Sequence, residues 1–126
     1  MKNIVVGIDF SKNSYNAMKH AVAISLRNKA KLHLAWVKTA AMKTDLAVST
    51  TTDNYMATVR EKLNQWVEEC KTEAPESSVT SIVLEGKPAV ELCKYASNLN
   101  KAMIVMGTHG VSGFEEFFVG SNAFRT

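Results

Sequence analysis

Four short apolar runs, rich in β-branched residues, recur along the chain and alternate with stretches of helical periodicity. Asn3 to Asp9 (NIVVGID) is the first run, and the turn-type cluster after it marks a buried strand. Ser11, Asn13 and Ser14 are good helix caps, and Tyr15, Met18, Val22 and Leu26 then follow at helical spacing. Lys31 to Val37 (KLHLAWV) is the second strand, so the first third predicts a right-handed β-α-β unit with parallel strands. Met56, Val59, Leu63, Trp66 and Cys70 mark one face of a long helix that ends before Pro75. Val79 to Leu84 is the third strand, Glu85-Gly86-Lys87 its turn, and Pro88 suits the first position of the next helix. Val90, Cys93, Ala96 and Leu99 give that helix a buried face, and Ala102 to Met106 (AMIVM) is a fourth, continuously apolar strand.

This alternation predicts an open, parallel α/β sheet with helices on both faces. Lys38 to Thr52 is polar, Thr-rich and aperiodic, which suits a surface loop or a lid. Ligands of such sheets bind outside the carboxyl ends of the strands, where strand order reverses. The loops after Asp9, Val37 and Met106 are therefore the places to look.

Length and composition narrow the classes. The 126 residues suffice for one domain with a core, and 46% apolar with 21% charged residues is the balance of a globular protein. The net charge of +3 gathers into no stripe of Lys or Arg, so no nucleic acid and no membrane surface is expected as partner. The apolar runs fall far short of the ~20 residues that span a bilayer. Met1-Lys2-Asn3 leads straight into the first strand without a signal-peptide layout, and the expected location is cytoplasmic. Cys70 and Cys93, both on apolar helix stripes, are expected to be reduced core residues rather than redox or metal groups.

The stretch after the fourth strand carries the candidate chemistry. Gly107 and Gly110 follow it at once, and Gly120-Ser121 comes after nine intervening residues. Glycines admit close backbone approach, and successive N–H groups in such turns form anion-binding nests. If Gly120-Ser121 opens a helix, its amides and dipole also favour phosphate. The pattern is neither a Walker A loop nor the dinucleotide fingerprint, and on spacing alone a purely structural turn is an equal alternative.

The spacing G-x-x-G-x9-G-S resembles the nucleotide-binding signature of the universal stress protein family, in its ATP-binding branch. Ile4 to Ser11 is similar to the family's first strand with its aspartate, Gly86-Lys87-Pro88 to its third turn, and Ile104 to Gly110 to its fourth strand and loop. The resemblance covers the whole chain and implies a Rossmann-like fold of the adenine nucleotide alpha hydrolase type. It implies ATP as ligand, with Mg²⁺ held chiefly by phosphates and water. Asp9 would hydrogen-bond the ribose and Val37 would meet adenine with its backbone. Gly107 and Gly110 would approach ribose and phosphates, Gly120 and Ser121 would hold the phosphate chain, and Met106 and Asn122 would touch the ligand.

Three departures modify this expectation. Val111 stands where family members often carry Arg or Lys, and Glu115 and Glu116 replace basic residues, which weakens triphosphate binding if they face the site. The chain closes at Thr126, in what the resemblance makes the first turn of the last helix, so a domain lacking the last strand, or the first half of a tandem protein, is expected. An uncovered edge at Ala102 to Met106, with Phe114, Phe117 and Phe118 nearby, then predicts a homodimer or higher oligomer. His109 lies between motif glycines without a clear catalytic part, and His20 and His33 are expected to be ordinary helix and strand residues. With no general base or cationic clamp identifiable, the expected function is an ATP-binding regulatory domain, hydrolysis slow or absent, acting on a protein partner. The alternatives are a nucleotide-independent interaction module, or a weak ATPase or phosphotransferase using Asp9 or His109.

Overall fold

The computed structural model describes residues 2–39, 52–109 and 115–121. Its elements run β1 (Asn3–Ile8), α1 (Lys12–Asn28), β2 (Lys31–Lys38), α2 (Thr52–Glu73), β3 (Val79–Glu85), α3 (Pro88–Ser97), β4 (Ala102–His109) and β5 (Glu115–Ser121). They form one sheet in the order β3-β2-β1-β4-β5. The first four strands are parallel, with Gly7 beside both Ala35 of β2 and Met106 of β4. The expected lid or loop at residues 40–51 lies outside the described residues, as do Gly110, Val111, Phe114 and Asn122.

Burial follows from strand position. β1 is central and covered on both faces, and Ile4, Val5 and Val6 are wholly buried, as the continuous apolar run required. Ser11 caps α1 by accepting a hydrogen bond from the Ser14 N–H at 3.1 Å. Pro88 stands at the start of α3, where its missing N–H costs nothing.

α1 and α2 share one face of the sheet, where Met18, Val22, Val59, Leu63 and Cys70 pack with Ile4, Val6, Leu32 and Leu34. α3 lies on the other, where Leu92 and Ala96 meet Val5, Ala35, Val37 and Ile104. Leu26 and Val90, expected inside, are instead exposed, so the buried stripes of α1 and α3 are narrower than the apolar periodicity suggested. Among the described residues no helix is long and apolar enough to cross a membrane.

The far edge departs from expectation. Gly120 and Ser121 do not open a helix; they end β5, which runs antiparallel along β4 from His109↔Glu115 to Met103↔Ser121. The physical reason is the unpaired N–H and C=O row of β4, which any adjacent β-prone segment satisfies, and Phe117-Phe118-Val119 is such a segment. The chain therefore covers its own β4 edge. The argument for self-association through an open edge at Ala102 to Met106 is overturned.

Candidate functional site

Strand order reverses between β1 and β4, since the chain winds outward through β2 and β3 before returning to the other side of β1. A cavity of about 280 Å³ opens at the carboxyl ends there, as open α/β sheets require. Its floor is a row of register partners, Ala35, Gly7 and Met106, drawn from three adjacent strands. Leu92 and Pro88 of α3 form one wall, and Trp36, Val37 and Thr39 close the β2 side. Gly7 keeps the floor low: a Cβ there would stand 2.9 Å from Leu92 Cδ1.

Asp9 and Ser14 form the rim toward α1. The Asp9 carboxylate accepts the Ser11 N–H at 2.9 Å, and the Asp9 N–H donates to Ser14 Oγ at 3.3 Å. Asp9 thus follows β1 directly and is part of the α1 cap, with an exposed side chain. Gly107 also lines the cavity, but its lack of a Cβ has a second cause. A Cβ there would lie 2.5 Å from the Asn13 carbonyl oxygen, so β4 and the first turn of α1 approach too closely for any side chain.

Of the residues expected at the site, Asp9, Val37, Met106 and Gly107 are brought around one cavity. Gly110 and Asn122 lie outside the described residues. Gly120 and Ser121 are carried elsewhere: they pair with Ile104 and Met103, and Ile104 is roughly 10 Å along β4 from Gly107. A second, wider cleft of about 370 Å³ opens at the amino ends of the strands between Lys2, Lys29, Lys31 and Glu76. It is the larger of the two, but it lies at the end of the sheet opposite the strand-order crevice. The smaller, apolar cavity is the candidate site.

The family profile of universal stress proteins matches residues 1–125. The chain belongs to the universal stress protein family. It is 30% identical over 126 residues to a universal stress protein of Methanocaldococcus jannaschii, covering 98% of this chain and 74% of that one. It is 27% identical to the universal stress protein YxiE of Bacillus subtilis, covering 94% and 86%. Among solved structures, UspA from Lactobacillus plantarum superposes with a TM-score of 0.62 at 24% identity, over 76% of this chain and 68% of that one. A universal stress protein solved in complex with cAMP superposes with a TM-score of 0.56 at 20% identity, over 76% and 63%.

One further feature of this universal stress protein was not legible as chemistry. His33 is buried on the α3 face, with Nε2 3.0 Å from Asn3 Oδ1 and Nδ1 3.0 Å from the Tyr95 hydroxyl. Asn3 Nδ2 donates to the Asn100 carbonyl at 2.7 Å, so its Oδ1 faces the ring and accepts from Nε2–H. Tyr95 then donates to Nδ1, which fixes a neutral tautomer. Burial, with the charge of Lys31 second, lowers the His33 pKa from its ordinary 6.5. The signal was present in part: a histidine inside an apolar strand must find partners, and Asn3 opens the neighbouring strand. Cys70, by contrast, is the buried structural thiol expected, its pKa pushed up to about 12 by burial first and by Glu69 and Glu73 after it.

Proposed function

We propose that this universal stress protein domain binds an adenine nucleotide, ATP being the expected ligand, with the nucleoside in the cavity over Ala35, Gly7 and Met106. The observation that carries this reading is the apolar floor of small and flexible side chains at the strand-order crevice, with Asp9 at its rim. At about 280 Å³ the cavity lies just under the roughly 300–1,000 Å³ of typical ligand sites, which suits a nucleoside better than a whole triphosphate. Asp9 would take a ribose hydroxyl, the backbone of Val37 would meet the base, and Gly107 would leave the sugar room. The phosphates would leave the cavity past Gly107, at the carboxyl end of β4. One structural neighbour was solved in complex with cAMP, which supports an adenine nucleotide as the class of ligand.

The group supplied by such a ligand is a signal of nucleotide level, and the residues here suit binding rather than turnover. Among the described residues Asp9 is the one titratable side chain lining the cavity, and no Lys or Arg lines it to clamp a transferring phosphoryl group. Hydrolysis is therefore expected to be slow or absent. Among the described residues no three His, Cys, Asp or Glu side chains cluster, so a Mg²⁺ ion accompanying ATP would ride on phosphate oxygens and water.

The second reading, an interaction module that uses no nucleotide, draws on the β5 position of Gly120 and Ser121, which takes two expected phosphate donors out of reach. Calorimetric titration with Mg-ATP, together with identification of any nucleotide retained on purification, separates the two. Asp9→Ala is expected to weaken ATP binding by about 10-fold, the value of one charge-assisted hydrogen bond. Absence of retained nucleotide and of heat with ATP would establish the second reading.

A further inference from the structure

Residue 10 has an unusual backbone. Phe10 lies between Asp9 and Ser11 with φ at 63°, in the left-handed region that a bulky side chain rarely enters. Such a conformation persists only where its surroundings over-determine it. Here the surroundings are specific. The Phe10 ring meets Trp66 of α2 edge-to-face, with centroids 5.2 Å apart and planes at 84°. The Lys62 ammonium stands 5.5 Å from the Phe10 centroid. Trp66 also meets Tyr15, in the first turn of α1, at 5.4 Å and 79°.

Trp66 therefore grips both ends of the turn that follows β1. On one side it holds Phe10, and on the other it holds the helix whose cap residues, Ser11 and Ser14, bond Asp9. The left-handed residue 10 is what folds the chain back so that the Ser11 N–H reaches the Asp9 carboxylate two residues earlier. A carboxylate fixed by that bond is aimed before any ligand arrives, which reduces the ordering cost of binding.

We propose that Phe10 and Trp66 are positioning residues of the nucleotide site: their ring contact holds residue 10 left-handed and so aims Asp9 at the cavity rim. Neither aromatic is among the residues that line the cavity, so they act through Asp9. The inference rests on the nucleotide-binding reading for its consequence, while its geometric half stands apart from it. It also makes α2, the helix on the opposite face from α3, a contributor to the site.

A double-mutant cycle on the full chain tests it, with two readouts. One is Mg-ATP affinity by calorimetry; the other is hydrogen exchange of the Ser11 amide without nucleotide, which reports the Asp9 bond directly. Trp66→Ala is expected to raise the Kd about 10-fold and to speed Ser11 exchange by about the same factor, while Trp66→Phe keeps a ring edge and stays near wild type. Phe10→Gly accepts the left-handed conformation without an anchor, so in that background Trp66→Ala should change both readouts less than in wild type, the remainder passing through Tyr15. Thermal midpoints of all variants separate these effects from loss of fold. The inference is overturned if Trp66→Ala lowers the midpoint but leaves Ser11 exchange and ATP affinity at wild-type values. It is equally overturned if Trp66→Ala has the same effect in both backgrounds. If wild type itself binds no ATP, the nucleotide reading fails, and Ser11 exchange across the same four proteins still decides the positioning role.

Discussion

Among the described residues the two faces of the sheet are covered unequally, and the inequality divides stability from the proposed binding. On one face α1 and α2, of 17 and 22 residues, pack a continuous core from β1 to the end of α2. On the other, α3 has only 10 residues and is about 15 Å long, whereas an eight-residue strand such as β2 or β4 runs about 26 Å. One short helix cannot cover that length. It shields the middle of the strands with Leu92 and Ala96 and leaves their carboxyl ends as a cavity. The well-covered face contributes most of the buried apolar surface, which at roughly 25 cal/mol per Å² is the main stabilising contribution. The under-covered face contributes the cavity in which the proposed nucleotide would sit.

The sharpest way to break this comparison is a matched pair of truncations. Leu63 on α2 and Leu92 on α3 are both 1% exposed, so they differ in surroundings rather than in burial. Leu63→Ala is expected to cost about 3 kcal/mol or more within the range of roughly 2–5 for such changes, because closely packed neighbours surround it on the larger core. Leu92→Ala should fall near 2 kcal/mol, because Leu92 already borders a cavity and loses fewer contacts. Denaturant unfolding gives both values. Mg-ATP affinity should change for Leu92→Ala and stay constant for Leu63→Ala wherever both remain folded; equal effects on affinity would abolish the division.

A smaller effect separates the two glycines of the cavity. Gly107→Ala sets a Cβ against the Asn13 backbone at 2.5 Å, and neither β4 nor the first turn of α1 can retreat cheaply. A loss of about 1–3 kcal/mol is expected, as for other overpacked sites. Gly7→Ala meets chiefly the tip of Leu92, a side chain that can turn into the cavity, and should cost about 1 kcal/mol. The second change, however, fills the floor and should impair binding more than its stability cost suggests. A larger stability loss at Gly7 than at Gly107 would show that the α1–β4 approach is looser than the geometry indicates.

How far the sequence foretold this molecule depends on the range of the interaction involved. The four parallel strands and three helices were legible because apolar periodicity is a local signal, and the end of the sheet where the cavity lies followed from the order of strands. Asp9 and Val37 stood out as strand ends. The cavity floor did not, because the row Ala35–Gly7–Met106 exists only once three strands are set in register. β5 was missed because residues Glu115 to Ser121 carry a glycine motif that suggested a phosphate loop, while the open edge of β4 selects them as a strand. Phe10 and Trp66 lie 56 positions apart, and no pattern within either segment announces their contact.

The weakest effect tests whether the α3 face is also the acid-sensitive one. His33 lies there toward the amino ends of the strands, and its neutral form satisfies Asn3 and Tyr95 together. Protonation would make both ring nitrogens donors, so Tyr95 would have to turn its own proton away, and a charge would be buried near Lys31. Tyr95, held above its usual pKa by burial, cannot offset that charge by ionising. Because the folded pKa of His33 lies below 6.5, the unfolded chain binds more protons in the interval between the two values. The contribution is therefore fully present above pH about 6.5 and lost progressively as pH falls through that interval. Expected is a thermal midpoint that is level between about pH 8 and 7 and declines below about 6.5, before carboxylate titration begins near pH 5. His33→Gln should start lower, having lost the ring packing against Tyr95 at 5.6 Å, but should decline less across that interval. The gap between the two proteins therefore narrows as pH falls. A gap that stays constant down to about pH 5.5 would mean that His33 carries no proton-linked stability, and acid sensitivity would then have to be sought on the face covered by α1 and α2.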